Sequence, residues 1–162
     1  MNSEISSSQP ACACCGKLDA VWTALAPLGP LLLRVALGAV FFVHGSQKMF
    51  GWFGGHGYSA TIAMMHDQMG IPTFFAALVP IAEFFGGLGV LVGLLTPVAA
   101  FGIFCVMVTA VFHVHLSAGF FAPKGFEYPL TLGLVALSLM VTGAGPWSLD
   151  ALIKRGWRQK LP

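Results

Sequence analysis

Leu31 to Phe53 read LLLRVALGAVFFVHGSQKMFGWF. A helix rises about 1.5 Å per residue, and a bilayer core of about 30 Å therefore needs roughly 20 apolar residues. This stretch meets that length, and it carries His44 in its midst. Three further runs repeat the pattern at residues 73–95, 97–116 and 128–143, holding Glu83 in the second and His113 in the third, with Glu127 just before the fourth. Ionisable side chains are costly at membrane depth and mark cofactor, substrate or proton sites. The runs predict an all-α integral membrane four-helix bundle with a polar site inside it.

Composition agrees with that reading. The chain has 162 residues, 57% hydrophobic and only 9% charged, with a mean hydropathy of +0.83. Such a chain has too little polar surface to cover a soluble globule, so its first partner is the lipid bilayer. A net charge of +2, with Lys154, Arg155, Arg158 and Lys160 gathered in one terminal tail, does not suit nucleic acid. That basic tail, residues 147–162, alternates with Leu149, Leu152 and Ile153 and is expected to lie along a membrane surface.

Residues 1–30 form a polar N-terminal tail and an interfacial lead-in interrupted by Pro27, Gly29 and Pro30. They lack the order of basic, apolar and small-residue segments of a removable secretory signal, and are expected to be retained. Residues 31–146 form the four-span domain. Residues 54–72 read as a loop with a helical turn at Ala60 to Met65, and Pro80 is expected to kink the second span, freeing the carbonyl of Ala76. Lys17, Arg34 and the four terminal basic residues outweigh the charge of the two longer loops. The positive-inside rule then places both termini in the cytoplasm and loops 54–72 and 117–127 outside.

Counting residues inward from the aromatic or proline boundaries places His44 about 12 Å deep, Glu83 about 16 Å and His113 about 10 Å. Lys48 follows His44 by one helical turn and shares its face. The expected site is an outer-leaflet cavity holding His44, Lys48, Glu83 and His113. The loop with His56 and His66 would roof it, and Glu127 and Tyr128 would flank it. His115 points about 200° away from His113 on a regular helix and is expected to hydrogen-bond a backbone carbonyl or face solvent. Arg34 is expected to snorkel to headgroups, Cys105 to act as a small packing residue, and Gly89 with Gly93 to form a small-residue packing pair. Cys12, Cys14 and Cys15 form a thiol cluster that would suit a soft metal such as Cu(I).

Three motifs recur together: R-x3-G-x5-H-G-x2-K from Arg34 to Lys48, E-x2-G-G-x5-G-x2-T from Glu83 to Thr96, and G-A-G-x-W-S-L-D from Gly143 to Asp150. In this combination the chain resembles the DoxX family of small bacterial membrane proteins. Pro97 stands where the family usually has a basic residue, and the cysteine-bearing tail lies outside the family pattern. The resemblance implies a multi-pass protein of the bacterial inner membrane, belonging to a redox or oxidative-stress system. It also implies that Arg34, His44, Lys48 and Glu83 bind a quinone or another small redox ligand. On that reading the chain is an oxidoreductase subunit: His44 or Glu83 exchanges protons, Lys48 stabilises negative charge, and a soluble or membrane partner supplies electrons. Two other readings stand beside it. One is a non-catalytic scaffold that docks redox or stress proteins; the other is a copper- or haem-handling protein that uses His44, His113 and Glu83. Self-association into a homo-oligomer would use the glycine-rich face.

Overall fold

The computed structural model describes residues 13–121 and 123–159. Cys12 lies outside them, as do the side chains of Cys14 and Cys15, so the thiol cluster is not placed. All regular structure among the described residues is helical: α1 (Ala13–Leu25), α2 (Leu28–Phe50), α3 (Tyr58–Met69), α4 (Thr73–Val92), α5 (Thr96–Thr109), α6 (Glu127–Thr142) and α7 (Leu149–Arg158). A π-helical turn, Ala110–His115, and a 3-10 turn, Leu116–Ala118, prolong α5.

Helix α2 packs on α4, α4 on α5, α5 on α6, and α6 returns to α2, which closes a four-helix bundle. Leu37, Phe41, Val90, Ile103, Met107 and Leu139 fill its centre. The outside is as apolar as the inside: Phe74, Phe85, Val98 and Val141 are exposed. A helix that is hydrophobic all round belongs in lipid. Among the described residues, Gly16–Phe50, Thr73–Val92 and Thr96–Ala118 contain spans long and apolar enough to cross a membrane. Helix α6, with 16 residues, reaches only about 24 Å.

Two segments differ from expectation. Helix α2 starts at Leu28 rather than Leu31, because Pro30 falls in the first turn, where a missing N–H costs nothing. Residues 58–69, expected as loop around a single turn, form the twelve-residue helix α3. Thr61 and Met65 are its buried positions, one turn apart, and Met65 packs with Ile71 and Ala76 below it. The flanking glycines and the polar pair His66–Asp67 concealed that spacing. The hydroxyl of Tyr58, at the start of α3, donates to the carbonyl of Ala77 at 3.2 Å, beside the carbonyl that Pro80 deprives of its donor.

Close approach of α2 and α4 depends on glycine. A Cβ on Gly45 would fall within the backbone of Glu83 and Phe84, and one on Gly87 within that of Phe41 and Phe42. A Cβ on Gly38 would stand 2.7 Å from the nitrogen of Leu91. Gly38, Gly45 and Gly87 are therefore consumed inside the bundle. Gly45→Val should push α2 off α4 and destabilise the protein by about 1–3 kcal/mol or more, read as a lower melting temperature in detergent; an unchanged melting temperature would show that the helices pack differently.

Candidate functional site

Gly45 and Lys48 lie within one turn of α2, and the contact that Gly45 permits brings Lys48 against α4. The Nζ of Lys48 donates to Oε1 of Glu83 at 2.5 Å. The Glu83 side chain is 3% exposed and that of Lys48 27%, so the carboxylate is the sequestered partner and the ammonium sits nearer the opening. Oε2 of Glu83 is buried and has no hydrogen-bond partner among the described residues. An unpaired carboxylate oxygen in an apolar interior is costly unless something completes it.

The pair borders a cavity of about 290 Å³. His44, Lys48, Glu83 and Tyr128 line it, as expected, but Glu127 and His113 do not. Its histidines are His44 and His115. The reason is the π-helical turn at Ala110–His115, which inserts an extra residue into the helical register and re-aims the side chains after it. His113 instead directs Nε2 at the carbonyl of Met69, 2.8 Å away. His115 places Nδ1 2.8 Å from the carbonyl of Lys124. A carbonyl only accepts, so Nδ1 of His115 carries the proton, and neutral His115 keeps its lone pair on Nε2.

The expected histidine roof is a methionine roof. Met64, Met65 and Met69 of α3 face the cavity, whereas His56 is exposed and His66 turns its Nδ1 to the carbonyl of Ile71 at 3.1 Å. Among the described residues no three His, Cys, Asp or Glu side chains gather as a metal-binding set. The grouping of His44, His113 and Glu83 around one metal is not assembled, since His113 faces elsewhere.

Arg34 does not join the cavity, and it does not snorkel. It is 2% exposed, near the opposite end of α2. Its Nε donates to the carbonyl of Val90, Nη2 to Leu91, and Nη1 to both Ala144 and Trp147, at 2.7–3.0 Å. The guanidinium thus ties the end of α4 to the turn between α6 and α7. Gly93 makes room for it: at φ +73° it leaves the helix, and a Cβ there would lie 2.6 Å from Cζ of Arg34. Gly93 is therefore the seat of Arg34 rather than half of a helix-packing pair. Next to it, Asp150 accepts from the N–H groups of Leu95 and Thr96 at 2.8 and 3.0 Å, capping the start of α5.

A family model described as DoxX matches residues 29–116. The chain belongs to the DoxX family. Relatives include a Bacillus subtilis protein named "Putative oxidoreductase CatD", 34% identical over 80% of this chain and 90% of that one. "Inner membrane protein YqjF" of Escherichia coli is 31% identical over 82% and 98%, and "Uncharacterized membrane protein Rv3486" of Mycobacterium tuberculosis is 34% identical over 80% and 83%. No solved structure matches the chain. The DoxX match contains Arg34, His44, Lys48 and Glu83, two structural units at opposite ends of one helix pair.

Two variants probe the Arg34 unit of this DoxX bundle. Arg34→Met should lower stability by more than about 3 kcal/mol, because several buried carbonyls lose their donor at once, and Arg34→Lys should not restore it, since an ammonium lacks the planar fork. Thermal unfolding in detergent checks both; a lysine variant as stable as the parent would refute the cage.

Proposed function

We propose that this DoxX protein is a subunit of a bacterial inner-membrane redox system that binds a quinone in the Glu83 cavity. The reading rests on one observation: a buried carboxylate, paired with lysine on one oxygen and unpartnered on the other, in the wall of a cavity at membrane depth. In this arrangement the Lys48 end of the bundle faces the periplasm and both termini face the cytoplasm, where Arg155 and Arg158 of α7 meet anionic headgroups.

The residues fit a small ring that carries oxygens at its edge. Lys48 offers a fixed positive charge where negative charge develops on such an oxygen, and Oε2 of Glu83 accepts from a ring hydroxyl. His44 and Nε2 of His115 exchange protons with the cavity, the role an imidazole plays in general acid–base chemistry. The apolar walls, Val40, Phe41, Val79 and Leu132 among them, keep water away. A bound quinone would supply the capacity to take up electrons together with protons; the electrons come from a redox partner protein. The name of the Bacillus relative is in keeping with this role.

Replacing both members of the ion pair separates binding from architecture. A lone survivor would be an uncompensated buried charge, whereas two apolar residues of similar volume are often tolerated. Lys48→Met combined with Glu83→Met should therefore keep the fold and lose at least about tenfold in affinity for a benzoquinone, the loss of one or more good polar contacts. His44→Ala should slow quinone reduction by the reconstituted partner system while leaving the melting temperature within a few degrees. A folded double variant that binds quinone as tightly as the parent would leave the pair as a helix-register device and favour the scaffold reading.

A further inference from the structure

A second hollow, about 540 Å³, runs along the seam between α4 and α5 on the outside of the bundle. Its walls extend along α4 from Pro72 to Ala82 and along α5 from Phe101 to the π-helical turn at His113. At about 1.5 Å per residue this is a groove some 15–18 Å long, roughly half the thickness of a bilayer core. It runs beside the Glu83 cavity over much the same depth: both begin at Ile71, and the groove ends at Ala82, the residue before Glu83, with Gly102 opposite it. Cys105, expected to pack inside, is exposed in this groove.

The groove and the cavity are two sides of one partition. Ile71, Val79, Val106 and Thr109 line both. On the inner side stand Lys48 and the unpartnered oxygen of Glu83; on the outer side the walls are Phe75, Leu78, Ile81, Ala82 and Phe101. The cavity, at about 290 Å³, lies at the small end of ligand pockets and is about half the size of the groove. A ligand with both a polar ring and a long hydrocarbon chain would place one on each side of this partition.

Resting on the quinone reading of the cavity, we infer that the ligand is a single-tailed amphiphile that enters sideways from the bilayer between α4 and α5 and keeps its tail in the α4–α5 groove. Hydrocarbon gains little by leaving lipid for an apolar groove, so the groove contributes orientation: it presents the head to Glu83 ring first. The π-helical turn lies at the outer end of the seam, away from Glu83, where α5 departs from regular geometry and where His113 and His115 diverge to the two sides.

The test uses the full chain in lipid nanodiscs and two fully ring-substituted benzoquinones, one bearing a decyl chain with a diazirine at its end and one, tetramethylbenzoquinone, without a tail. Photolysis should cross-link the decyl probe to the groove-lining peptides, Pro72–Ala82 and Phe101–His113, and excess tetramethylbenzoquinone should remove those cross-links by occupying the cavity. Gly102→Leu should fill the groove, since a Cβ there meets only Ala82 at 3.7 Å. It should weaken the decyl quinone by about tenfold, as overfilling of a packed site does, and leave tetramethylbenzoquinone unaffected. Cross-links elsewhere, cross-links in the groove that the tail-less quinone does not displace, or an unchanged decyl affinity in a folded Gly102→Leu protein would overturn the tail assignment while leaving the head site standing. Failure of tetramethylbenzoquinone itself to bind the parent protein would overturn the quinone reading and this inference with it.

Discussion

The contact between α2 and α4 governs the rest of the molecule. In lipid, helices gain nothing from hiding apolar surface from one another, and association relies on backbone proximity and on polar contacts across the interface. Gly38, Gly45 and Gly87 supply the proximity, and Lys48 with Glu83 at one end and Arg34 with Val90 and Leu91 at the other supply the polar contacts. The two effects depend on each other. Without side chains at Gly45 and Gly87 the helices approach far enough for the lysine to reach the carboxylate; with the lysine there, a carboxylate can be kept almost entirely out of water.

The site follows from that contact and from an irregularity on the opposite wall. A regular α5 would offer the cavity a different histidine. The π-helical turn at Ala110–His115 divides two histidines that are close in sequence between two hollows, and leaves His115 anchored through one ring nitrogen with the other available. Above them α3 contributes three methionines, whose unbranched side chains adapt to the shape of whatever lies below. A rigid charged edge under a pliable lid suits a ligand whose polar atoms are fixed and whose outline varies.

The bundle was legible because hydrophobic runs of membrane length have few other interpretations, and His44, Lys48 and Glu83 were legible because charged side chains at that depth are rare. Helix α3 was obscured: its core-facing positions are few, and polar residues between glycines look like a loop. His115 could not be chosen over His113, since a π-helical turn depends on backbone hydrogen bonding that has no dependable residue pattern. Arg34 was misread for a related reason. All its partners are carbonyls, which every residue possesses, so nothing in the sequence separates a caged arginine from one that reaches for headgroups.

That cage also bears on how the chain is made. Two of the acceptors of Arg34, the carbonyls of Ala144 and Trp147, lie 110 and 113 residues further along. At about 5–20 residues per second, ribosomal synthesis delivers them some 6–22 s after Arg34 itself. Throughout that interval α2 has a guanidinium near its start with at least half its acceptors missing, and water or lipid phosphates must solvate it. The cage of Arg34 therefore closes only after the turn between α6 and α7 has been made, which ties an early helix to one of the last elements described.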